Sequence, residues 1–594
     1  MANRGEIAAR IGRTAQRLGI VAIIPSADGP EALDLLSIDA VVGAARAAQA
    51  DALHPGFGFL AENAAFAEAV EAAGIRWVGP PPAAIRTMGD KAAARRLAAS
   101  LGVPTVPGYD GADQSDAALA RAARRIGVPL LVKPAAGGGG KGMRVVRKLG
   151  RLGEALAASR REAAAAFGDE RLILERLIEG PRHVEVQVLF DGHGAGIHLG
   201  ERDCSIQRRN QKVLEETPSP AVDPATRRRL TDAALALADA VAYRSAGTCE
   251  FLLDDAGAIH FLEMNTRLQV EHPVTELVTG RDLVADQLRI AAGERLGFGQ
   301  ADVEFRGHAI EVRLYAEDAE AGFLPATGTI EALRWPTGPG VRVDAGVEVG
   351  TVVGGRFDPL LAKIVAHGSG RAEALDRLAA ALDETLVLGL TTNLRFLRWL
   401  VRQPVVRDGK ARIDTLERIW PPDDWPAPDE PPDEAWQIAA AALGGAWRLN
   451  AAPVVRIAAG DTVRTMAVAD RAAAADAPAF AVGPTGRSVH VDVGGRSVEF
   501  RRAPPPDVDA AARAAAAHGH VSGAAEIVAP MPGSVVALHA AVGDRLEAGA
   551  PIVTLEAMKM EHAVASPIDA RLAELHVHPG DQVARGQLLG VLEA

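Results

Sequence analysis

Cysteine is nearly absent: Cys204 and Cys249 are the only two in 594 residues. That excludes a disulfide framework and points to a reducing compartment. No apolar run is long enough to span a bilayer, and the first residues carry no apolar signal-peptide core. Neither a membrane protein nor a secreted one is expected. An excess of positive charge is also missing. Lys and Arg number 64 against 76 Asp and Glu, a net charge of −12, which argues against nucleic acid as the main partner. A cytoplasmic setting fits these absences, bacterial in first place, with the mitochondrial matrix as the alternative. Apolar residues make up 48% and charged residues 24%, as in globular proteins, and the length favours several domains.

The chain is organised around Glu263-Met264-Asn265-Thr266-Arg267-Leu268-Gln269-Val270-Glu271. Read as an extended strand, it places Glu263, Asn265, Arg267, Gln269 and Glu271 on one face and mostly apolar groups on the other. His272-Pro273 is expected to stop that strand. A half-exposed strand with a wet outer face is the plain alternative. The choice of groups argues for more: hard oxygen ligands beside a guanidinium suit a divalent cation and an anion. Asp254-Asp255-Ala256-Gly257 reads as a hairpin turn that brings Glu250 near Glu263.

Elsewhere, Ile20–Ile24 is a short buried-strand candidate, Asp51–Leu60 reads as strand then loop, and strands alternate with helices as in an α/β layer. Val128–Lys133 is a buried strand ending in a lysine, followed by Gly137–Gly142. That run is either a flexible loop or a phosphate cradle of backbone N–H groups. It is not a Walker A loop, since no Lys-Ser/Thr opens a helix after it. Arg182–Val188 alternates strictly, and His183 alone there would suit a structural role. Glu201–Lys212 is dense in cations, either a solvated face or an anion site. Ala309–Tyr315 is a further strand. Pro421–Pro432 and Ala503–Ala525 have linker composition, with a β-patterned segment from Trp447 to Phe500 between them. The C-terminal segment repeats at an offset of about 37 residues: Pro530 with Pro567, Val542-Gly543-Asp544 with Pro579-Gly580-Asp581, Leu555-Glu556-Ala557 with Leu592-Glu593-Ala594. Two copies of one strand pattern imply a small barrel or sandwich with pseudo-two-fold symmetry. At their joint stands Met558-Lys559-Met560, an exposed lysine between methionines that a docking partner would explain.

Glu556-Ala557-Met558-Lys559-Met560 resembles the attachment motif of biotin carboxyl carrier domains. Glu263–Glu276, Arg202–Lys212 and Lys133–Met143 resemble biotin carboxylase, an ATP-grasp enzyme. On one chain they look like the α subunit of a biotin-dependent acyl-CoA carboxylase, and Trp447–Asn450 is weakly similar to the bridging region of methylcrotonyl-CoA carboxylase α chains. The resemblance implies a multidomain α/β and α+β chain. Its expected parts are a biotin carboxylase N-terminal α/β domain (1–90), an ATP-grasp domain (91–295) and a biotin carboxylase C-terminal domain (296–420). A linker (421–435), a β-rich bridging segment (436–502), a second linker (503–524) and an all-β, lipoyl-like carrier barrel (525–594) would follow.

The roles it implies are these. Lys559 would carry biotin. Lys91, Lys133, the loop glycines Gly138, Gly139 and Gly140, Glu175, Arg176, Leu177, His183 and Gln207 would hold ATP. Glu250, Glu263 and Asn265 would hold Mg²⁺ or Mn²⁺. Lys212, Arg267, Gln269 and Val270 would bind bicarbonate, Glu271 would be its general base, and Arg342 would steady the biotin enolate. ATP would activate bicarbonate as carboxyphosphate. A carboxyltransferase β subunit would then transfer the carboxyl group to an acyl-CoA, 3-methylcrotonyl-CoA in first place and propionyl- or acetyl-CoA in second. A biotin protein ligase and a hetero-oligomer are further implied, with neither nucleic acid nor membrane as partner. Against the family pattern, the chain lacks a strand before Ala2–Glu6 and is a strand shorter between Ala27 and Ile38, and Asn210 fills a position often occupied by His. The rival readings are a biotinylated carrier with a defective carboxylase half, and a non-carboxylase ATP-grasp ligase.

Overall fold

The computed structural model describes the chain except residues 30–31, 136–141, 210, 426–429, 445–453, 461, 469–478, 505–523, 558–559 and 594, and the side chains of 166–167, 524 and 560. Among the expectations above, Gly138, Gly139, Gly140, Asn210, Trp447–Asn450 and Lys559 lie outside the described residues.

Helix α1 (Gly5–Arg17) opens the fold and buries Ile7, Ala8, Ile11 and Ala15 at helical spacing, with Glu6 and Arg10 buried beside them. The segment after it corrects an expectation. Ile20–Ile24 forms no strand, and Val21 is 87% exposed. No described strand pairs with it, so its aliphatic run finds no sheet to enter. The N-terminal layer has instead one two-stranded parallel sheet, Ala52–Leu53 beside Arg76–Trp77.

The loop after Leu53 is tied down by His54. Its Nδ1 accepts from the Gly56 N–H (3.0 Å) and its Nε2 meets Gln287 Oε1 at 3.2 Å. Burial pushes this imidazole from 6.5 down to about 3, so it is neutral in the fold. Below pH 6.5 the unfolded chain binds a proton here that the folded chain does not, so stability is lost as the pH drops, by up to about 1.4 kcal/mol per unit. His54→Gln is expected to flatten that slope in denaturant titrations between pH 6.5 and 4.5. An unchanged slope would assign it to other groups.

Helix α2 (Lys91–Ser100) leads to a four-stranded sheet in which β1 (Leu130–Pro134) and β2 (Leu172–Arg176) pair antiparallel, Leu131 opposite Glu175. The main sheet has eight strands. In chain order these are β3 (Arg182–Phe190), β4 (Gly196–Arg208), β5 (Gln211–Thr217), β6 (Ser245–Leu253), β7 (Ile259–Asn265), β8 (His308–Tyr315), β9 (Val341–Ala345) and β10 (Leu360–Gly368). Their order across the sheet is β7-β6-β3-β4-β5-β8-β10-β9. One sheet thus runs through the expected junction at residue 296: ladder hydrogen bonds from β5 to β8 join the two parts.

The strand expected over Glu263–Glu271 ends at Asn265. Residues 266–271 leave the sheet, and α3 (His272–Thr279) begins with Pro273 in its first turn. Proline there starts a helix because its missing N–H would have had no partner. Side chains past Asn265 therefore do not alternate as the strand reading required.

Part of the expected linker is packed: Trp425 lies 4.6 Å from Trp420 and 6.1 Å from Trp399, ring to ring. Helix α4 (Asp433–Leu443) then buries Trp436 against Phe500 of a five-stranded antiparallel sheet spanning Val454–Arg502. The C-terminal unit is two four-stranded sheets. Gly533–Leu538 pairs with Pro551–Ala557 and Gln582–Val583, and the strands 37 positions on, Ala570–Leu575 with Leu588–Glu593, pair alike around Arg545–Leu546 in the second sheet. The sequence repeat is thus a pseudo-two-fold.

Candidate active site

Charged side chains meet where the sheet rows align. Glu263, Glu250, Glu185 and Arg202 are direct cross-strand neighbours on β7, β6, β3 and β4. The hairpin does bring Glu250 opposite Glu263. Carboxylates so placed repel, and a buried charge needs a partner. Lys212 on β5 supplies it. Its Nζ donates to Glu185 Oε2 (2.6 Å), Glu250 Oε1 (3.0 Å) and Glu271 Oε1 (2.6 Å). Arg202, fully buried, donates to Glu185 through Nε, to Gln187 (2.8 Å) and to the hydroxyls of Thr275 (3.0 Å) and Thr248 (3.2 Å).

Glu271 stands at the N-terminus of α3 with 0% exposure. Arg313 donates to its second oxygen at 3.0 Å, and to Glu215. Burial would raise Glu271, but Lys212, Arg313 and Arg202 outweigh it and hold the carboxyl well below its usual range. Glu250 is held low in the same way, against burial, by Lys212 and His183. Burial would lower His183, but Glu250 at 2.9 Å raises it. Lys212 is driven well above the ordinary lysine range, its three carboxylates overcoming burial.

Arg267 is partly buried beside this cluster. It donates to Glu62 (2.9 Å), Gln269 Oε1 (3.1 Å) and Asn265 Oδ1 (3.0 Å). Gln269 and Asn265 donate in turn to Glu250 Oε1, at 3.2 and 2.8 Å. For a divalent cation, Glu250, Glu263 and the Asn265 amide offer hard oxygens on paired strands, a set that fits Mg²⁺ or Mn²⁺. Ligand atoms of His183, Glu185 and Glu250 also lie within 4.8 Å of one another. The Glu263 carboxylate turns to Lys91, 3.1 Å away.

Further out, Lys133 on β1 pairs with Glu175 on β2, which Arg95 of α2 also holds at 2.5 Å. Burial lowers Lys133, more than Glu175 raises it. Gln207 is buried on β4. The amides of Arg176 and Leu177 donate to the Pro107 (2.8 Å) and Pro129 (3.0 Å) carbonyls. Val270 presents its carbonyl to Lys363 at 2.8 Å.

One expected residue pairs about a turn further along α3. Arg342 on β9 donates to Glu276 (2.8 Å) and Asp344 (2.7 Å), and Arg313 is the arginine on Glu271. Arg313, Glu185, Arg202, Glu62 and Lys363 were given no role from the sequence. The signal for Arg313 was there: Glu311 and Arg313 are charged groups alternating within an otherwise apolar strand.

Four family models match in chain order. They are "Biotin carboxylase, N-terminal domain" over residues 26–85, "Carbamoyl-phosphate synthase L chain, ATP binding domain" over 90–298, "Biotin carboxylase C-terminal domain" over 311–418 and "Biotin-requiring enzyme" over 525–592. The propionyl-CoA carboxylase alpha chain of Ruegeria pomeroyi is 38% identical over 667 residues, 98% of each chain. The chain belongs to the α chains of the biotin-dependent acyl-CoA carboxylases. The mitochondrial methylcrotonoyl-CoA carboxylase subunit alpha of Oryza sativa is 47% identical over 439 residues, 70% of this chain. That match spans about 60% of the rice protein's length. The biotin carboxylase domain of Hydrogenobacter thermophilus 2-oxoglutarate carboxylase, solved with MgADP and bicarbonate, is 43% identical with a TM-score of 0.68, covering 70% of this chain and 96% of that one.

In this α chain the biotin motif lies between the paired strands Pro551–Ala557 and Met560–Ala565, where Ala557 is opposite Met560. Cys204 and Cys249 are buried and free, and no helix among the described residues is long and apolar enough to cross a membrane.

Proposed function

We propose that this chain carboxylates biotin held on its own Lys559, using ATP and bicarbonate through carboxyphosphate, and serves a carboxyltransferase β subunit acting on an acyl-CoA. The observation that carries this reading is the buried Glu271, ionised between Lys212 and Arg313 and beside the Arg267 fork. A planar anion at Arg267 would share Lys212 with Glu271. Each donor it draws off lets the carboxylate become more basic, as a general base for bicarbonate requires. Arg313 is the cation placed to balance negative charge developing beside Glu271, the role expected of Arg342. Lys91, Lys133 and Glu175 with His183 and Gln207 form the nucleotide end, and a divalent cation at Glu250, Glu263 and Asn265 would neutralise phosphate charge there.

The relatives favour 3-methylcrotonyl-CoA, with propionyl- or acetyl-CoA second, since a propionyl-CoA carboxylase α chain matches over nearly its whole length. Acyl choice rests with the β subunit. A biotin protein ligase would modify Lys559, and the two free buried thiols suit a reducing compartment, the bacterial cytoplasm or the mitochondrial matrix.

The test uses the native complex captured from cells by its biotin, with radiolabelled bicarbonate, ATP, Mg²⁺ and a panel of acyl-CoAs. Label fixed in one acyl-CoA is the expected result. Biotin on Lys559 with no label in any acyl-CoA would favour the bare carrier. Arg267→Ala is expected to raise the bicarbonate KM at least ~10-fold, because it removes a charged hydrogen bond to the anion. Full turnover in that variant would remove Arg267 from the site.

A further inference from the structure

The carboxylate of Glu271 is gripped by Arg313, but its main chain is gripped as well. Lys363 lies at the centre of β10 with 0% exposure, directly opposite Arg313 on β8 and Asp344 on β9. Paired residues in neighbouring strands share a face, so Lys363 and Arg313 belong to one row. The Lys363 ammonium is 3.2 Å from Glu6 Oε2 on α1 and 3.9 Å from Asp344 Oδ2, both buried. Those carboxylates balance its charge, as a buried lysine requires. Its hydrogen bond goes elsewhere, to the backbone carbonyl of Val270 at 2.8 Å.

That carbonyl belongs to the peptide joining Val270 to Glu271. The segment has left the sheet after Asn265, so no ladder holds it. Gln269 O takes the His272 N–H at 3.4 Å and lies 2.7 Å from His272 Nδ1, whereas Val270 O is taken by the Lys363 side chain. We propose that Lys363 is a positioning residue for the bicarbonate site, fixing the Val270–Glu271 peptide so that the Glu271 carboxylate and the Arg267 fork face one anion. The inference rests on the function proposed above. It also links α1 to the site, since Glu6 shares the same ammonium.

Steady-state ATP hydrolysis by the full-length chain, with bicarbonate and ATP varied separately, tests it. Lys363→Met is expected to raise the bicarbonate KM and lower kcat, so that kcat/KM for bicarbonate falls on the order of 100-fold, as for a displaced reacting group. The ATP KM should stay within about 3-fold, because Lys91 and Lys133 lie on other elements. If Lys363→Met strands Glu6 and does not fold, the Glu6→Gln/Lys363→Met pair removes that charge and carries the same expectation. Unchanged bicarbonate kinetics in a folded variant, or an equal rise in both KM values, overturns the proposal in favour of a structural lysine. Wild-type chain without bicarbonate-dependent hydrolysis would overturn the function reading itself, a distinct outcome of the same assay.

Discussion

Replacing Lys212 by Met is expected to lower bicarbonate-dependent ATP turnover on the order of 10³-fold, as for loss of a preorganised charge in a dry site. The same substitution strands three carboxylates. Glu185, Glu250 and Glu271 all meet at the Lys212 ammonium, within 3.0 Å of it. Breaking a buried ion cluster by removing one member costs about 3–5 kcal/mol. Its pH dependence supplies the check. In the wild type Glu250 and Glu271 titrate below their ordinary range, so their contribution is full above the unfolded pKa near 4.5 and is lost as pH falls through the folded values. Without the lysine, repulsion and burial raise them, and acidification should then stabilise the variant relative to neutral pH. Denaturant titrations at pH 5 and 7 read the sign. A variant whose stability does not rise between pH 7 and pH 5 would mean that Lys212 does not hold the cluster together.

Glu271→Gln is expected to cost about 10²- to 10⁴-fold in kcat, the range for a positioned general base. The amide oxygen can still accept from Lys212, but it cannot take a proton. Nucleotide affinity should be preserved, since the Lys133–Glu175–Arg95 group lies on β1, β2 and α2. Titration calorimetry with ADP beside the hydrolysis assay separates these. Turnover within about 3-fold of wild type would exclude Glu271 as the base. Parallel loss of ADP binding would mean that its role is to hold the cluster.

Much of this was legible because the signals were local. Tight hairpins are short-range, so Asp254–Gly257 placed Glu250 opposite Glu263 in the structure as in the sequence. The C-terminal repeat worked for the same reason: strands 37 positions apart fill equivalent places in two sheets. Periodicity failed where its premise did. Polar alternation continued through Glu271, but Pro273 starts a helix and the strand stops at Asn265. Ile20–Ile24 had the composition of a buried strand and, among the described residues, no strand to pair with.

By itself the sequence determined the order of the parts, the polar side chains gathered in Glu263–Glu271, the biotin motif and the carrier's two-fold. Each is written in contiguous residues or in a fixed repeat. Only the tertiary structure decided which arginine faces Glu271. Arg313 and Arg342 both lie on strands of one sheet, and nothing local distinguishes them. Strand order does: β8 sits beside β5, so Arg313 reaches Glu215 and Glu271, whereas edge strand β9 turns Arg342 to Glu276 and Asp344. Charges far apart in the chain find partners through the sheet, and burial then makes each pairing obligatory.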